Sequence, residues 1–311
     1  MTYPGWAPIA PYAPPPPQPG VIPLAPLSLG DYFSALGALA RRYWRPLIGL
    51  GAAAFAVVYL LGYAAFAGVA LSVPTDEDGY MDLNGGTVLA LAVLVVVGLL
   101  LLLLVHVFVA ALCPAVFRPA VLGEPAATRQ MRRVAVSRLP ALTGVLFLMA
   151  LPALLGLLLI GIFVLLVGEA GLLLPLVLLP ALTWFWTQCS LAPSVAVVEG
   201  AGPLTAIRRS FRLVTGSWWR IFGIQLLMWV IGFAMTMAVN FVVDLISRAI
   251  PLSGSTGVDI TVDVLFLLPG IALILLGTLL SQLTVALLYT DQRIRREGLA
   301  DALADAAYSA R

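Results

Sequence analysis

Six apolar stretches, each long enough to cross a lipid bilayer, constrain this chain more than any other feature. They run at residues 46–73, 87–117, 140–168, 171–198, 221–246 and 264–290. A helix needs roughly 20 mostly apolar residues to span the hydrocarbon layer. Within that layer every backbone N–H and C=O must be satisfied inside the protein, which favours the helix for each run. The sequence therefore predicts an all-α integral membrane protein with about six transmembrane helices. Composition agrees, since 61% of the 311 residues are hydrophobic and only 10% are charged, against about a quarter charged in a soluble domain. The third and fourth stretches are separated by little more than Glu169 and Ala170. One helix through both would be about 90 Å long, too long for a bilayer, so a tight turn is expected at Glu169.

The arginines set the orientation. Basic residues close to span ends are retained in the cytoplasm. Arg41, Arg42 and Arg45 precede the first span, Arg118, Arg129, Arg132, Arg133 and Arg138 lie between the second and third, Arg208, Arg209, Arg212 and Arg220 between the fourth and fifth, and Arg293, Arg295, Arg296 and Arg311 after the sixth. The alternate connections carry Asp76, Glu77, Asp78 and Asp82, then Glu169, then Asp259 and Asp263, with Arg248 alone among the basic residues there. This asymmetry predicts a multi-pass protein of the plasma membrane with both termini in the cytoplasm. No basic segment precedes Arg41, so the first span is expected to act as its own insertion signal.

Three regions follow. Residues 1–27 hold "YPGWAPIAPYAPPPPQPGVIPLAP", uncharged and proline-rich; such a segment favours extended geometry over a packed core and is expected to be a disordered cytoplasmic tail. Residues 28–290 form the transmembrane domain, and residues 291–311 a charged cytoplasmic helix or tail. Inside the domain a pattern recurs three times: a short amphipathic segment bearing arginines leads into a pair of spans. The first opens at Ser28 and Asp31, in capping-box spacing, and continues with Tyr32, Leu36, Leu39 and Tyr43 at helical period. The second carries Ala127, Met131 and Val134; the third carries Leu204, Ile207, Phe211, Val214 and Trp218. Each delivers an arginine to a span mouth: Arg45, Arg138 and Arg220. The expectation is three repeats of interfacial amphipathic helix plus helical hairpin.

The segment "AIRRSFRLVTGSWWRIFGI" shows what these elbows are for. Its apolar residues fall on one face and Arg208, Arg209 and Arg212 on another, the pattern of a helix lying in the membrane interface. Trp218 and Trp219 sit where amphipathic rings prefer to lie, and arginines near the surface attract anionic headgroups at about 1 kcal/mol each. The interfacial set, expected to contact anionic lipid, comprises Arg41, Arg42, Arg45, Arg129, Arg132, Arg133, Arg138, Arg208, Arg209, Arg212, Trp218, Trp219 and Arg220. A nucleic-acid surface would place aromatics among the arginines; here they belong to the apolar stripe, so no nucleic-acid partner is expected.

The segments "PGVIPLAPLSLGDYF", "FRPAVLGEPAATRQMRRV", "LAPSVAVVEGAGPLTAIRRSFRLVTGSWWRIFGI" and "VALLYTDQRIRREGLADALA" resemble a family of actinobacterial polytopic membrane proteins. That family is often labelled as a glycerophosphoryl diester phosphodiesterase membrane domain, or as a domain of unknown function. With the spans between those segments, the resemblance covers nearly the whole chain. It implies a polytopic bundle without an established activity, the label coming from proteins that join such a domain to a catalytic barrel. The barrel would take roughly 250 residues, and no soluble segment of that size exists here. Its chemistry uses histidines together with metal-holding carboxylates, and this chain has one histidine, His106, within the second span.

Other chemistries lack their residues too. Cys113 and Cys189 fall at different depths, which suits neither a zinc site nor a disulfide, and no P-loop, GxSxG or HExxH occurs. No cofactor or metal is expected, nor an enzyme. His106, Gln188, Gln225 and Gln282 are the intramembrane polar residues, expected to bridge helices. Pro152, Pro175, Pro180 and Pro193 are expected to kink the third and fourth spans. Two functions fit: a non-enzymatic scaffold or accessory subunit of a membrane complex, with membrane-protein partners, and a lipid-handling or small-molecule transport protein of the inner leaflet. The nearly bare apolar span centres favour the first, because transporters place polar groups at the midplane.

Overall fold

The computed structural model describes residues 25–72, 85–122, 128–249 and 256–299, all of them helix or short connection, with no strand among the described residues. The proline-rich tail up to residue 24, the acidic residues at 76–82 and Arg311 lie outside them. In chain order come α1 (Leu29–Trp44), a π-helical turn (Arg45–Gly49), α2 (Leu50–Ser72), α3 (Gly85–Leu122), α4 (Thr128–Val167), a 3-10 turn (Gly168–Leu173), α5 (Pro175–Cys189), α6 (Ala192–Val198), α7 (Pro203–Val214), α8 (Trp218–Ala249) and α9 (Thr256–Glu297). Five helices, α2, α3, α4, α8 and α9, are long and apolar enough to cross a membrane.

The stretch 171–198, expected as a fourth span, is instead divided. Gly168 turns the chain at φ +66, a conformation costly for any residue with a Cβ. Gly171 then passes so close to α4 that a Cβ there would lie 2.6 Å from the Val164 nitrogen. The turn at Glu169 therefore exists, as a 3-10 turn built on two glycines. Helix α5 has 15 residues, about 22 Å, shorter than the ~30 Å hydrocarbon layer. It ends at Cys189, and Pro193 lies in the first turn of α6, where its missing N–H costs nothing.

The elbows differ from one another. α1 opens with the capping box at Ser28 and Asp31; the Ser28 backbone N–H, then its hydroxyl, hold the Asp31 carboxyl below its usual range. It is set off from α2 by the π turn and by the non-helical Tyr43. α7 is set off from α8 by a turn in which Gly216 adopts φ +85. The second elbow has no such break, and its described part is the start of the 40-residue α4, which continues through Pro140.

Burial is concentrated at one end. Most of the buried side chains lie on α1, on α3 between Val105 and Ala120, on α4 between Met131 and Met149, on α6 and α7, at Ile221 near the start of α8, and on the last third of α9. The opposite halves of α3, α4 and α8 expose leucine, valine and phenylalanine on most sides, as helices surrounded by lipid do. Helix α9 is the exception: 44% of its most apolar window is buried, against 6% for α3, α4 and α8. It packs on α1, α2, α3, α6, α7 and α8 and is the central post of the bundle.

Candidate functional site

The polar residues gather at the buried, arginine-rich end, around the end of α9. Asp291 has no exposed surface. Its carboxylate accepts the Leu27 backbone N–H at 2.8 Å, the Tyr32 hydroxyl at 3.2 Å and the Arg295 Nε at 3.0 and 3.1 Å, and it is paired with Arg220. Arg220 and Arg295 each also donate to the Leu27 carbonyl, at 2.8 and 3.1 Å. One carboxylate and two guanidinium groups thus fix the residue just before the α1 cap, so both polar groups of that backbone position are satisfied. Desolvating a carboxylate costs several kcal/mol, and only good geometry with several donors offsets it; here four residues supply them. Burial, and beside it the Asp291 charge, push the Tyr32 hydroxyl above its ordinary range, so it stays protonated and donates.

Two lesser knots flank this hub. Glu199, just past α6, accepts from the Tyr289 hydroxyl at 2.8 Å and from Arg209 Nε at 3.3 Å. Arg209 also pairs with Glu297 at 2.5 Å, and Glu297 with Arg293 at 3.0 Å. Arg296 donates to the Arg212 carbonyl at 3.0 Å, to the Thr215 carbonyl and to Ser217 Oγ at 3.2 Å. It therefore satisfies the carbonyls that the end of α7 leaves without helical partners. At the break between α5 and α6, the Ser210 hydroxyl donates to the Gln188 carbonyl at 2.6 Å and accepts the Leu191 N–H at 3.2 Å. The break is thereby latched to α7.

The interfacial residues divide by role. Arg41, Arg42, Arg45, Arg129, Arg132, Arg133, Arg208, Arg212 and Trp219 are exposed. Arg42 lies over the Tyr43 ring and Arg45 over the Trp44 ring, at 5.8 and 5.5 Å. Arg138, Arg209 and Arg220 instead turn into the protein: Arg138 reaches the Gly200 carbonyl at 3.5 Å, and the other two join the knots. Trp218 is half-buried, stacked on Phe222 at 5.0 Å. Of the intramembrane polar residues, His106 and Gln282 meet at 3.3 Å across α3 and α9. Gln188 Oε1 and Gln225 Nε2 are buried without a hydrogen-bond partner, as are Ser194 Oγ and both amide atoms of Gln292. Cys113 and Cys189 are buried free thiols. Among the described residues, no three His, Cys, Asp or Glu side chains converge as a metal site requires.

Sequence reasoning missed the hub. It placed Asp291 at the start of a charged helix or tail, apart from the transmembrane domain; α9 runs through that point to Glu297. The one local signal was the four-residue spacing of Asp291 and Arg295. No protein-family profile matches this chain, and no curated protein or solved structure does either.

Proposed function

We propose that this chain is a non-enzymatic, multi-pass protein of the plasma membrane that serves as a scaffold or accessory subunit of a membrane complex. In this reading both termini are cytoplasmic, α5 with the flanking 3-10 turn and α6 makes the fourth of six crossings as a broken span, and the chain is a member of the actinobacterial family it resembles. The observation that carries it is the fate of the charges at the buried end. Asp291, Arg220, Arg295, Glu199, Arg209 and Glu297 bond to one another and to backbone, joining α1, α7, α8 and α9 into one platform. An active site would aim such groups into a cavity. The three-repeat reading draws support from two contacts: Arg138, at the mouth of the second unit, reaches Gly200 just before the third elbow, and Arg220, at the mouth of the third, reaches Leu27 just before the first.

The test is native mass spectrometry of the full chain extracted gently from its own membranes. A protein subunit retained in constant ratio is the expected result. A small molecule or lipid retained with no protein subunit would overturn the scaffold reading in favour of lipid handling or transport.

A further inference from the structure

A cavity of about 200 Å³ opens between the first elbow and the pair α8–α9. Its walls include Leu36, Ala40 and Trp44 of α1, Gly232 and Thr236 of α8, and Gly277 of α9. Among the lining residues only Thr236 and Trp44 carry a side-chain oxygen or nitrogen; the Thr236 hydroxyl is bonded to the Gly232 carbonyl at 2.9 Å, which leaves the Trp44 indole N–H. Apart from that N–H the lining is apolar, and it suits a hydrocarbon. Along α9 the lining extends from Leu273 to Leu283, about 15 Å. That is half of a ~30 Å hydrocarbon layer, the depth of one leaflet.

The rim has the opposite character. Leu36, Ala40 and Trp44 are spaced four residues apart on α1; Arg41 follows Ala40 on that helix and Arg45 opens the π turn after it, both exposed. Arg45 lies over the ring of Trp44, itself a wall residue, at 5.5 Å from the centroid, which holds the guanidinium at the cavity edge. Asp31, the acid of α1, is engaged by Ser28 at the far end of the helix, and no carboxylate belongs to the lining. An apolar slot one leaflet deep, with Arg45 over the ring of the wall residue Trp44 and Arg41 next in sequence to the wall residue Ala40, is complementary to one class of molecule. We propose that the groove between α1, α8 and α9 binds a single anionic phospholipid, an acyl chain against Gly232 and Gly277 and the phosphate at Arg41 and Arg45. This deepens the reading of the elbow arginines as anionic-lipid contacts and rests on it; it is independent of the scaffold reading.

The test uses the full chain in mild detergent, titrated with phosphatidylglycerol or phosphatidylcholine and followed by native mass spectrometry. One phosphatidylglycerol per chain should be retained with roughly tenfold preference over phosphatidylcholine. The paired change Arg41→Gln and Arg45→Gln should bring the two lipids close to parity. Gly277→Phe should abolish retention of either; a Cβ at Gly277 meets no atom within 4 Å, so the ring enters open space. Gly232→Leu is the second filling variant should the first misfold, each being checked by thermal midpoint and monodispersity. Arg208→Gln with Arg212→Gln, on the third elbow, should leave the retained lipid in place. Retention undiminished in a folded filling variant would overturn the groove while leaving the elbow reading intact. No phosphatidylglycerol preference in the unaltered chain would overturn both.

Discussion

At the scale of the residue, Asp291 shows how a buried charge can tie distant helices together. A fully buried carboxylate is costly by itself, and its two guanidinium partners, the Tyr32 hydroxyl and the Leu27 N–H offset that cost together. Removing the carboxylate leaves those donors without an acceptor. Asp291→Ala should therefore lower stability by about 3 kcal/mol, whereas Glu297→Gln, in a pair about one-quarter exposed, should cost at most about 1 kcal/mol. Thermal midpoints in one detergent compare them, and equal losses would deny Asp291 its special place. Only part of this arrangement was legible beforehand. Asp291 and Arg295 are four apart, a spacing any helix brings together, but Leu27 is 264 positions from Asp291 and Arg220 is 71 away. Only the packing of helices makes those contacts, and a periodic pattern carries no record of it.

At the scale of the element, local signals were readable where local chemistry decides. The Ser28–Asp31 cap is present as spaced, because capping needs only four consecutive residues. The spans read from hydropathy coincide with α2, α3, α4, α8 and α9 to within a few turns. Where the stretch 171–198 was read as one span, hydropathy registered the apolar composition but not the close approach of Gly171 to α4 or the latch of Ser210 on the α5–α6 break. Glycine substitutions separate packing from propensity. At Gly144 an added Cβ would lie 2.6 Å from Cγ of Pro203, the first residue of α7. Gly144→Ala should push the elbow off α4 and cost about 1–3 kcal/mol. At Gly98, where a Cβ meets no atom within 4 Å, the same change should stabilise α3 by about 0.5–1 kcal/mol. Opposite shifts in thermal midpoint are the expected outcome; shifts of the same sign would contradict the packing of α7 on α4.

At the scale of the whole molecule, one end is protein-like and the other is lipid-facing. The spans away from the hub carry apolar residues on all faces, and in lipid such faces give helices little reason to associate. Cohesion then falls to the arginine-rich end, where the first elbow, the third elbow and the last helix are tied through a few side chains. The central claim is that Asp291 makes this end a single body. Amide hydrogen exchange of the full chain in lipid nanodiscs, with and without Asp291→Ala, tests it most directly. Loss of the carboxylate should speed exchange together at residues 27–32, at the start of α8 and at the end of α9, and leave residues 129–139 of α4 unchanged. Unaltered exchange at residues 27–32 would show that the chain's first elbow is held by something other than this hub.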